Sequence, residues 1–329
     1  MQILITGGAG YIGSTVASAC EDAGHQVVIL DDFSTGRREF IGERTLYEGD
    51  IADSTLLDRI FTEQSIDAVV HCAAKIIVPE SVSEPLAYYE NNVSKTVTLL
   101  EGLQRNGVHR FLFSSSASIY APDENFVVTE ASPLQPGSPY ARTKFMVEMV
   151  LEDFTKASDV RVLSLRYFNP IGTDPKLRSG QQLERPSHVL AKLLEAWVNH
   201  ETFTVTGVDW PTRDGSGIRD FIHVWDLAKA HVAALEGFDK ATADGPYQVF
   251  NIGTGNGVTV KELAASFEAI SGDPLKIQEG PSRPGDVAGV YTVSSKAKDV
   301  LGWEAQLSEQ DAVRDAIAWL PVRKEILGY

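Results

Sequence analysis

The glycine-rich stretch TGGAGYIG, residues 6–13, constrains the fold of this chain more than any other part of its sequence. An apolar run at 2–6 precedes it and a helical pattern follows it, which predicts a strand, a tight turn and a helix. Gly7, Gly10 and Gly13 let the backbone turn sharply and let a pyrophosphate approach the helix N-terminus. Alone, such a triplet also fits an ordinary strand–helix turn, so the flanking pattern carries the prediction of a dinucleotide site.

The same strand–helix alternation continues through the first half of the chain. Apolar, β-rich runs predict further strands at 26–30, 45–50, 67–74, 110–116 and 160–168, with helical patterns between them, as at 56–64 and 87–104. Strands that are apolar on both faces are typical of a parallel sheet covered by helices on both sides. We therefore predict an α/β fold built on a doubly wound parallel sheet.

The pattern changes after about residue 172. It then predicts a helix near 187–199, a strand at TVTG, a loop rich in Gly and Asp at 211–220, and helices near 258–271 and 308–320. We predict a dinucleotide-binding domain at 1–172 and a smaller α/β domain at 173–329 that binds the substrate. The segment near 222–255, with a strand at 247–253, is expected to be able to rejoin the first sheet.

The composition excludes several classes of partner. The formal net charge is −16, which disfavours nucleic acid and anionic membranes because nothing offsets phosphate repulsion over a broad surface. An anionic ligand would need a few local arginines and helix N-termini. No apolar run approaches the roughly 20 residues of a membrane-spanning helix, and MQILITGG lacks a basic leader. Cys20 and Cys72 are expected to be buried thiols in a reducing cytoplasm, and no metal is expected.

Two carboxylates at strand ends point to the nature of the dinucleotide. Asp31, with Asp32 after it, ends the second predicted strand. A carboxylate there accepts hydrogen bonds from ribose hydroxyls and repels a 2′-phosphate, which favours NAD over NADP. Asp50, at the end of the third predicted strand, can meet the adenine amino group, although an isolated aspartate there also fits a cap or turn.

The stretch SPYARTK places Tyr140 and Lys144 one helical turn apart, so that both side chains leave the same face. A nearby ammonium and an oxidised nicotinamide both favour the phenolate, which makes Tyr140 a base that takes a proton from a substrate hydroxyl. Ser116, at the carboxyl end of the fifth strand, is placed to orient the substrate oxygen. The pair alone occurs by chance in many helices. Combined with the glycine turn, Asp31 and Ser116, it predicts a catalytic site.

These motifs resemble the extended short-chain dehydrogenase/reductases and, within them, the UDP-glucose 4-epimerase family. The resemblance covers nearly the whole chain and rests on TGGAGYIGS, DDFSTG, EGDI, ESVSEPLAYYENNV, FSSSASIY, SPYARTK, LRYFNPIG, WPTRDGSGIRDFIHVWDLAKAH and RPGD. It implies a Rossmann sheet, bound NAD, and interconversion of UDP-galactose and UDP-glucose by inversion at C4 through a 4-keto intermediate. It also implies a homodimer that docks the helix at 87–104 and the Tyr140 helix.

The resemblance also assigns site residues by position. Those implied around NAD, beyond the glycines, Tyr140 and Lys144, are Tyr11, Ile12, Asp31, Asp32, Phe33, Ser34, Thr35, Gly36, Asp50, Ile51, Cys72, Ala73, Ala74, Asn91, Ser114 and Phe168. Those implied around the UDP-hexose, beyond Ser116 and Tyr140, are Asn169, His188, Val189, Thr204, Val205, Thr206, Arg219, Arg283, Asp286 and Val290. The arginines would grip the diphosphate that the acidic chain otherwise repels.

The chain departs from the family pattern at several places. Ile76 stands where many members have a lysine, with Lys75 one position earlier, and Ala121 stands where a glycine is usual. His188 replaces an asparagine, and a core or surface histidine is an equally good interpretation. Val290, next to Tyr291, stands where many bacterial members have a tyrosine. A smaller residue leaves room beside the sugar C2, so UDP-N-acetylhexosamines are expected as further substrates.

Two alternative functions are a related nucleotide-sugar enzyme, such as a 4,6-dehydratase, and a binding module of a different class. A 4,6-dehydratase needs an acidic pair after the strand-end hydroxyl, where this chain has Ala117 and Ser118. A non-catalytic NAD-sensing module would keep the glycines but has no use for the combined Ser116, Tyr140 and Lys144.

The implied dimer leaves a further alternative open on the Tyr140 helix. The stripe Val147, Val150, Leu151 and Phe154 fits docking against a second subunit and burial in the core equally well.

Overall fold

The computed structural model describes residues 1–121, 123–184, 186–282 and 287–329. Arg283 and Asp286, which were predicted to bind substrate, lie outside the described residues. Within the described ranges, every helix is too short or too polar to cross a lipid bilayer.

The strands are β1 Gln2–Thr6, β2 Gln26–Asp31, β3 Thr45–Glu48, β4 Ala68–His71, β5 Arg110–Ser116, β6 Val127–Val128, β7 Arg161–Tyr167, β8 Asn169–Ile171, β9 Thr202–Thr206, β10 Ile218–His223, β11 Tyr247–Ile252, β12 Gly257–Thr259, β13 Lys276–Gly280 and β14 Tyr291–Thr292. The α-helices are α1 Tyr11–Asp22, α2 Ser54–Glu63, α3 Val78–Ser83, α4 Pro85–Tyr89, α5 Lys95–Asn106, α6 Pro139–Ala157, α7 Val189–Val198, α8 Val224–Glu236, α9 Phe238–Ala241, α10 Val260–Ser271 and α11 Glu309–Leu327.

Seven parallel strands form the main sheet, in the order β11-β7-β5-β4-β1-β2-β3. The order reverses between β1 and β4, and a ligand site is expected outside the carboxyl ends of the strands at such a switch point. The predicted doubly wound α/β fold is confirmed. The strand expected at 247–253 lies at the edge of this sheet, beside β7, although it follows the first half of the chain by many residues.

Two apolar layers cover the main sheet, one on each face. On one face, α1 and α8 pack on residues such as Ile3, Ile29 and Phe250. On the other, α2, α5 and α6 pack on residues such as Leu4 and Phe111. Burial on both faces explains why these strands read as continuous apolar runs instead of alternating ones.

A second group of elements follows the main sheet in the chain. Strand β10 lies between β12 and β8, and β9 pairs with β13 in parallel. Helices α7, α10 and α11 contribute to a separate apolar core that contains Leu193, Phe221 and Phe267. Strand β8 follows directly after β7, so the two groups of elements meet beside the carboxyl end of the main sheet. A domain boundary near residue 172 stays a prediction.

The helix predicted over 87–104 is interrupted. Helix α4 ends at Tyr89, a π-helical turn spans Glu90–Ser94, and α5 begins at Lys95. The wider turn changes the phase of the helix between its two halves. Leu100 is buried while Val97 is 37% exposed. The last helix also runs to Leu327, well past the predicted end at 320, because a capping box at Ser308 fixes its start and Gly328 ends it.

Candidate active site

The glycine turn lies where the strand order reverses. Gly7 has a φ of +72°, and a Cβ on it would lie 2.7 Å from the backbone nitrogen of Ala73 at the end of β4. A Cβ on Gly13 would collide with the Gly7 carbonyl oxygen. Gly10 precedes α1 and supplies no side chain to cap the helix. The turn therefore brings bare backbone and a helix N-terminus together, which suits a pyrophosphate.

Asp31 ends β2 beside this turn and is 7% exposed. Its Oδ2 accepts the N–H of Ala9 at 2.9 Å and its Oδ1 accepts the N–H of Phe33 at 2.9 Å. Burial raises the pKa of Asp31, and these two backbone hydrogen bonds partly offset that effect. Each carboxylate oxygen can accept a further donor, so the residue retains the capacity that ribose hydroxyls require.

The loop after Asp31 forms its own turn. The Oδ1 of Asp32 accepts both the backbone N–H and the hydroxyl of Ser34, and Phe33 adopts a left-handed φ of 57°. A Cβ on Gly36 would lie 2.8 Å from the Asp31 carboxylate, so the loop closes tightly on this group. The aspartates, Phe33, Ser34, Thr35 and Gly36 thus form one continuous loop beside the glycine turn.

Asp50 lies after β3 and forms an ion pair with Lys95, while its Oδ1 accepts the N–H of Ala52 at 2.9 Å. An adenine amino group would have to share this carboxylate with Lys95. Ile51 is buried in the core beneath. Lys95 was missed from the sequence because an isolated lysine at a helix start carries no recognisable pattern.

Ser138 and Pro139 explain why α6, the helix that bears Tyr140 and Lys144, begins where it does. The Ser138 hydroxyl accepts the N–H of Ala141 at 3.2 Å, and proline at the first helical position fits without losing a hydrogen bond. Tyr140 then lies in the first turn, at the carboxyl end of β5. Burial raises the pKa of Tyr140, and a hydrogen bond with Ser116 lowers it.

Lys144 lies below Tyr140 and is 5% exposed. Its Nζ donates to the Ser114 carbonyl at 2.7 Å and stands 4.9 Å from the centre of the Phe113 ring. Burial lowers the pKa of Lys144 to about 8. Burial dominates the pKa of Tyr140, and the Lys144 ammonium is bound to the end of β5; that Lys144 lowers the pKa of Tyr140 in the loaded enzyme stays a prediction.

A chain of buried polar groups under Lys144 was not predicted. The Ser114 hydroxyl lies 2.8 Å from the Tyr167 hydroxyl and 3.3 Å from the sulfur of Cys72. Tyr167 contacts Nε2 of His231, whose Nδ1 lies 2.9 Å from the Leu227 carbonyl. That carbonyl requires the proton on Nδ1, so Tyr167 donates to Nε2. The groups come from four distant segments, and only the fold brings them together.

Asn91 and its neighbour lie in the π-helical turn. Asn91 Nδ2 donates to the Asn92 side chain at 3.0 Å. Asn92 accepts the N–H of Lys75 at 2.8 Å and donates to the Lys75 carbonyl and to Thr143 on α6. Asn92, which the sequence analysis missed, therefore fixes the segment after β4 against the catalytic helix. Lys75 pairs with Glu80 at 3.1 Å.

His188 precedes α7 and lines a small cavity together with Tyr11, Gly172 and Gln181. The Tyr11 hydroxyl donates to the Gly172 carbonyl at 2.6 Å. Burial lowers the pKa of His188, so the imidazole is neutral near pH 7. The start of α7 thus lies across from the start of α1, as a nucleotide sugar placed beside NAD requires.

The remaining residues predicted to bind substrate have different environments in the structure. Asn169 starts β8, and Thr204 and Thr206 lie on one face of β9, while Val205 faces the core and is 0% exposed. Arg219 donates to the carbonyls of Ile218, Val287 and Ala288 at 2.7, 3.0 and 2.5 Å. Its guanidinium therefore holds the segment that leads to Val290.

Val290 and Tyr291 face opposite ways. Val290 packs with Ala117, Tyr120 and Phe168, next to the strand end that bears Ser116. Tyr291 packs against Gly257, and a Cβ added to this glycine would lie 2.6 Å from the tyrosine ring. Gly289, with a φ of +121°, lets the segment pass close to the Ile218 carbonyl. Tyr291 therefore packs on Gly257, and Val290 is the residue of this pair that packs beside the strand end bearing Ser116.

The fold and site define an NAD-dependent enzyme that acts on a hydroxyl group, and comparisons with known proteins agree. The model of the NAD dependent epimerase/dehydratase family matches residues 3–253, and the chain belongs to that family. Its curated relatives include the UDP-glucose 4-epimerase of Bacillus subtilis (strain 168), which is 39% identical over 330 residues, with 97% of this chain and 96% of the relative covered. The resemblance drawn from the motifs is confirmed.

Solved structures give the same result. The UDP-glucose 4-epimerase of Stenotrophomonas maltophila, with bound NAD and formylated UDP-arabinopyranose, superposes with a TM-score of 0.94 at 34% identity and 99% coverage of both chains. The UDP-Glc/GlcNAc 4-epimerase of Campylobacter jejuni superposes with a TM-score of 0.82 at 34% identity, covering 98% of this chain and 99% of that one. NAD as the cofactor is confirmed.

Proposed function

We propose that this chain interconverts UDP-galactose and UDP-glucose by inverting C4 of the hexose, with Tyr140 as the acid and base of the reaction. The observation that carries the proposal is the meeting of Ser116, Tyr140 and Lys144 at the carboxyl end of β5, beside the Asp31 loop and the glycine turn. NAD, held by that turn and loop, supplies the acceptor and donor of hydride when bound.

The protein's own groups manage the proton. Tyr140 takes the proton of the C4 hydroxyl as the carbon is oxidised and returns it after the 4-keto sugar has turned its other face. Ser116 shares a hydrogen bond with Tyr140 and orients the sugar oxygen. Burial of Tyr140 raises its pKa, so the phenolate depends on the nearby positive charges of the loaded enzyme. Lys144, fixed on the Ser114 carbonyl, is one of them.

Inversion requires that the nucleotide is held firmly while the sugar stays free to turn. Arg219, Arg283 and the start of α7 at His188 and Val189 are placed in the chain to hold the UDP part. Few polar groups are assigned to the hexose, which permits the rotation. The proposal includes a division into a cofactor domain at 1–172 and a substrate domain at 173–329. It also includes a location of the protein in the reducing cytoplasm, where Cys20 and Cys72 would remain thiols.

A coupled assay tests the proposed function directly. UDP-galactose is supplied to the purified, NAD-loaded protein, and UDP-glucose is detected by oxidation with UDP-glucose dehydrogenase. We expect steady formation of UDP-glucose. Bound dinucleotide without any conversion of UDP-galactose or UDP-N-acetylgalactosamine would contradict the proposal and favour the sensing module. Loss of water from the sugar would favour the dehydratase.

Val290 sets the expected tolerance for a C2 acetamido group. Because valine and not tyrosine packs beside Phe168 and Ala117, we expect the enzyme to turn over UDP-N-acetylglucosamine. The Val290→Tyr variant should lose this activity by at least about 100-fold, since overpacking a fixed pocket is costly, while conversion of UDP-galactose falls by less than about tenfold. The ratio of kcat/KM for the two substrates measures the effect.

The matched control is Tyr291→Val, at the neighbouring position that faces away from Phe168. It should leave the substrate ratio unchanged. A wild-type enzyme that does not act on UDP-N-acetylglucosamine, or a Val290→Tyr variant that retains the wild-type ratio, would show that this position does not limit the pocket.

The homodimer is proposed to form through an apolar surface on α3, α4, α5 and α6. Val82, Leu86, Val97, Met146 and Met149 are exposed there, and Leu86 is 81% exposed. Helices α3 and α4 both pack against α6. The stripe Val147, Val150, Leu151 and Phe154 packs instead into the core beside the sheet.

Charge placed on this surface should separate the subunits. We expect the double variant Leu86→Glu and Met149→Glu to change the dimer into a monomer, with at least a 100-fold increase in the dimer dissociation constant, because two buried carboxylates per subunit would lack partners. Light scattering after size-exclusion chromatography gives the mass. Val198→Glu, at an equally exposed valine on α7, is the control and should stay dimeric. A monomeric wild type would refute the surface.

A further inference from the structure

The loop at 31–37 is joined to the C-terminal half of the chain through Gln182. This side chain is 5% exposed, and its Nε2 donates to the backbone carbonyl of Thr35 at 3.3 Å. Thr35 and Ser34 are themselves exposed. The contact therefore reaches the outer turn of the loop, on the side away from the sheet.

Tyr329 holds Gln182 and the far end of the same loop together. Its hydroxyl donates to the Gln182 backbone carbonyl and accepts Nε of Arg37 at 2.9 Å. The guanidinium groups of Arg37 and Arg323 lie 5.8 and 4.9 Å from the centre of its ring. The backbone N–H of Arg37 donates to the Ala9 carbonyl at 2.9 Å, so the contact continues into the glycine turn.

Helix α11 fixes the position of the segment at 181–184 through several contacts. Trp319 Nε1 donates to the Gln181 carbonyl at 3.1 Å, and Arg323 Nη2 donates to the Leu183 carbonyl at 2.6 Å. Trp319, 2% exposed, also packs on Phe40 with ring centres 6.0 Å apart. Tyr329 thus lies between a fixed segment and the loop that Asp31 begins.

We infer that Tyr329 is a positioning residue that keeps the loop at 31–37 closed and thereby slows the release of NAD. The inference rests on the proposed placement of NAD against Asp31 and this loop. A dinucleotide bound at its ribose cannot leave until the loop opens. Opening the loop breaks the hydrogen bonds through which Tyr329 links Arg37 to Gln182. Retention is what a 4-epimerase needs, because loss of reduced cofactor would leave the ketone stranded.

The Tyr329→Phe variant tests the inference with little change in shape. The ring remains for Arg323, while both hydrogen bonds of the hydroxyl are lost. We expect NAD to dissociate about tenfold faster, because the two lost hydrogen bonds link Arg37 of the loop to Gln182 of the fixed segment. NAD-loaded protein is diluted into alcohol dehydrogenase and ethanol, which convert each released NAD⁺ to NADH that is followed by absorbance.

Tyr47→Phe is the matched control. The Tyr47 hydroxyl donates to Glu63 at 2.6 Å and accepts from Gln64 at 3.1 Å, so the same atom and the same number of bonds are lost away from the loop. Its NAD release rate should equal that of the wild type. Equal rates for Tyr329→Phe, Tyr47→Phe and the wild type would overturn the inference, and so would equal acceleration in both variants.

Asp31→Ala separates this inference from the proposed placement of NAD. If Asp31→Ala weakens NAD binding and Tyr329→Phe accelerates release, both hold. If only Asp31→Ala has an effect, the placement stands and the role of Tyr329 is refuted. If neither has an effect, the placement itself is wrong and the inference falls with it. None of these measurements uses a sugar substrate, so failure of the epimerase reaction would leave them unchanged.

Discussion

The Tyr140→Phe variant is expected to lose about 10³-fold in kcat for UDP-galactose while it still binds NAD. General acid–base catalysis by a positioned side chain contributes about 10²- to 10⁴-fold, and phenylalanine keeps the ring but removes the only atom that carries the proton. Because phenylalanine keeps the partly buried ring, the stability of the protein should change little. The coupled assay measures kcat, and the nucleotide released on denaturation measures bound NAD.

Two further variants make this result specific. Tyr47→Phe, remote from the site, should retain wild-type turnover. Ser116→Ala removes a hydrogen bond that lowers the pKa of Tyr140, so the pKa of the tyrosine should rise. Since the base must be deprotonated to act, the rising limb of the pH–rate profile should then move to higher pH. Turnover by Tyr140→Phe within tenfold of the wild type would remove Tyr140 from its assigned role.

The part of the site that lies on consecutive residues could be predicted from the sequence. The glycine turn, Asp31 and Ser116 each end or follow a strand, and parallel strands bring their carboxyl ends to one edge of the sheet. The periodicity of these segments and their order in the chain are therefore sufficient to predict that these residues meet at one edge of the sheet. The spacing of Tyr140 and Lys144 is likewise a local property, and Ser138 and Pro139 fix the start of α6 just ahead of them.

Other features depend on tertiary contacts and could not be predicted. The π-helical turn at Glu90–Ser94 follows no simple periodicity, yet it places Asn92 between Lys75 and Thr143. The direction of Lys144 is set by the Ser114 carbonyl, which a helical spacing does not reveal. The bond from Gln182 to Thr35 joins residues far apart in the chain, and Gln182 belongs to no recognisable motif.

The buried ion pair of Glu148 and Arg166 should carry the largest effect on stability. Their side chains are each 5% exposed, and Glu148 accepts Nε and Nη2 of Arg166 at 3.0 and 2.6 Å. Glu148 also accepts the Ser115 hydroxyl at 2.5 Å, and Arg166 Nη1 donates to the Tyr120 hydroxyl at 2.7 Å. The pair fastens α6 to β5 and β7, one helical turn beyond Lys144.

Glu148→Gln is expected to lower the free energy of unfolding by about 3–5 kcal/mol, because it leaves the Arg166 charge buried without a counter-ion. Burial by itself would lower the pKa of Arg166, but the hydrogen bonds and charge of Glu148 more than offset this and raise it, so the guanidinium cannot escape by losing its proton. Urea unfolding of the NAD-loaded protein, followed by circular dichroism, measures the change. The effect should be the same at pH 6 and pH 8, since the raised pKa of Arg166 keeps its guanidinium charged at both pH values.

Replacing both charges separates the penalty of an unpaired charge from the value of the pair. The double variant Glu148→Leu and Arg166→Met removes both buried charges and keeps similar volume, so it should be less destabilised than Glu148→Gln alone. The partners it leaves, Ser115 and Tyr120, are neutral, and the Tyr120 hydroxyl still donates to Asn251 at 2.6 Å. If the double variant is at least as unstable as Glu148→Gln, the pair itself and not the avoidance of an unpaired charge holds α6 on the sheet. If Glu148→Gln unfolds at the wild-type urea midpoint, the pair does not secure the helix that carries Tyr140 and Lys144.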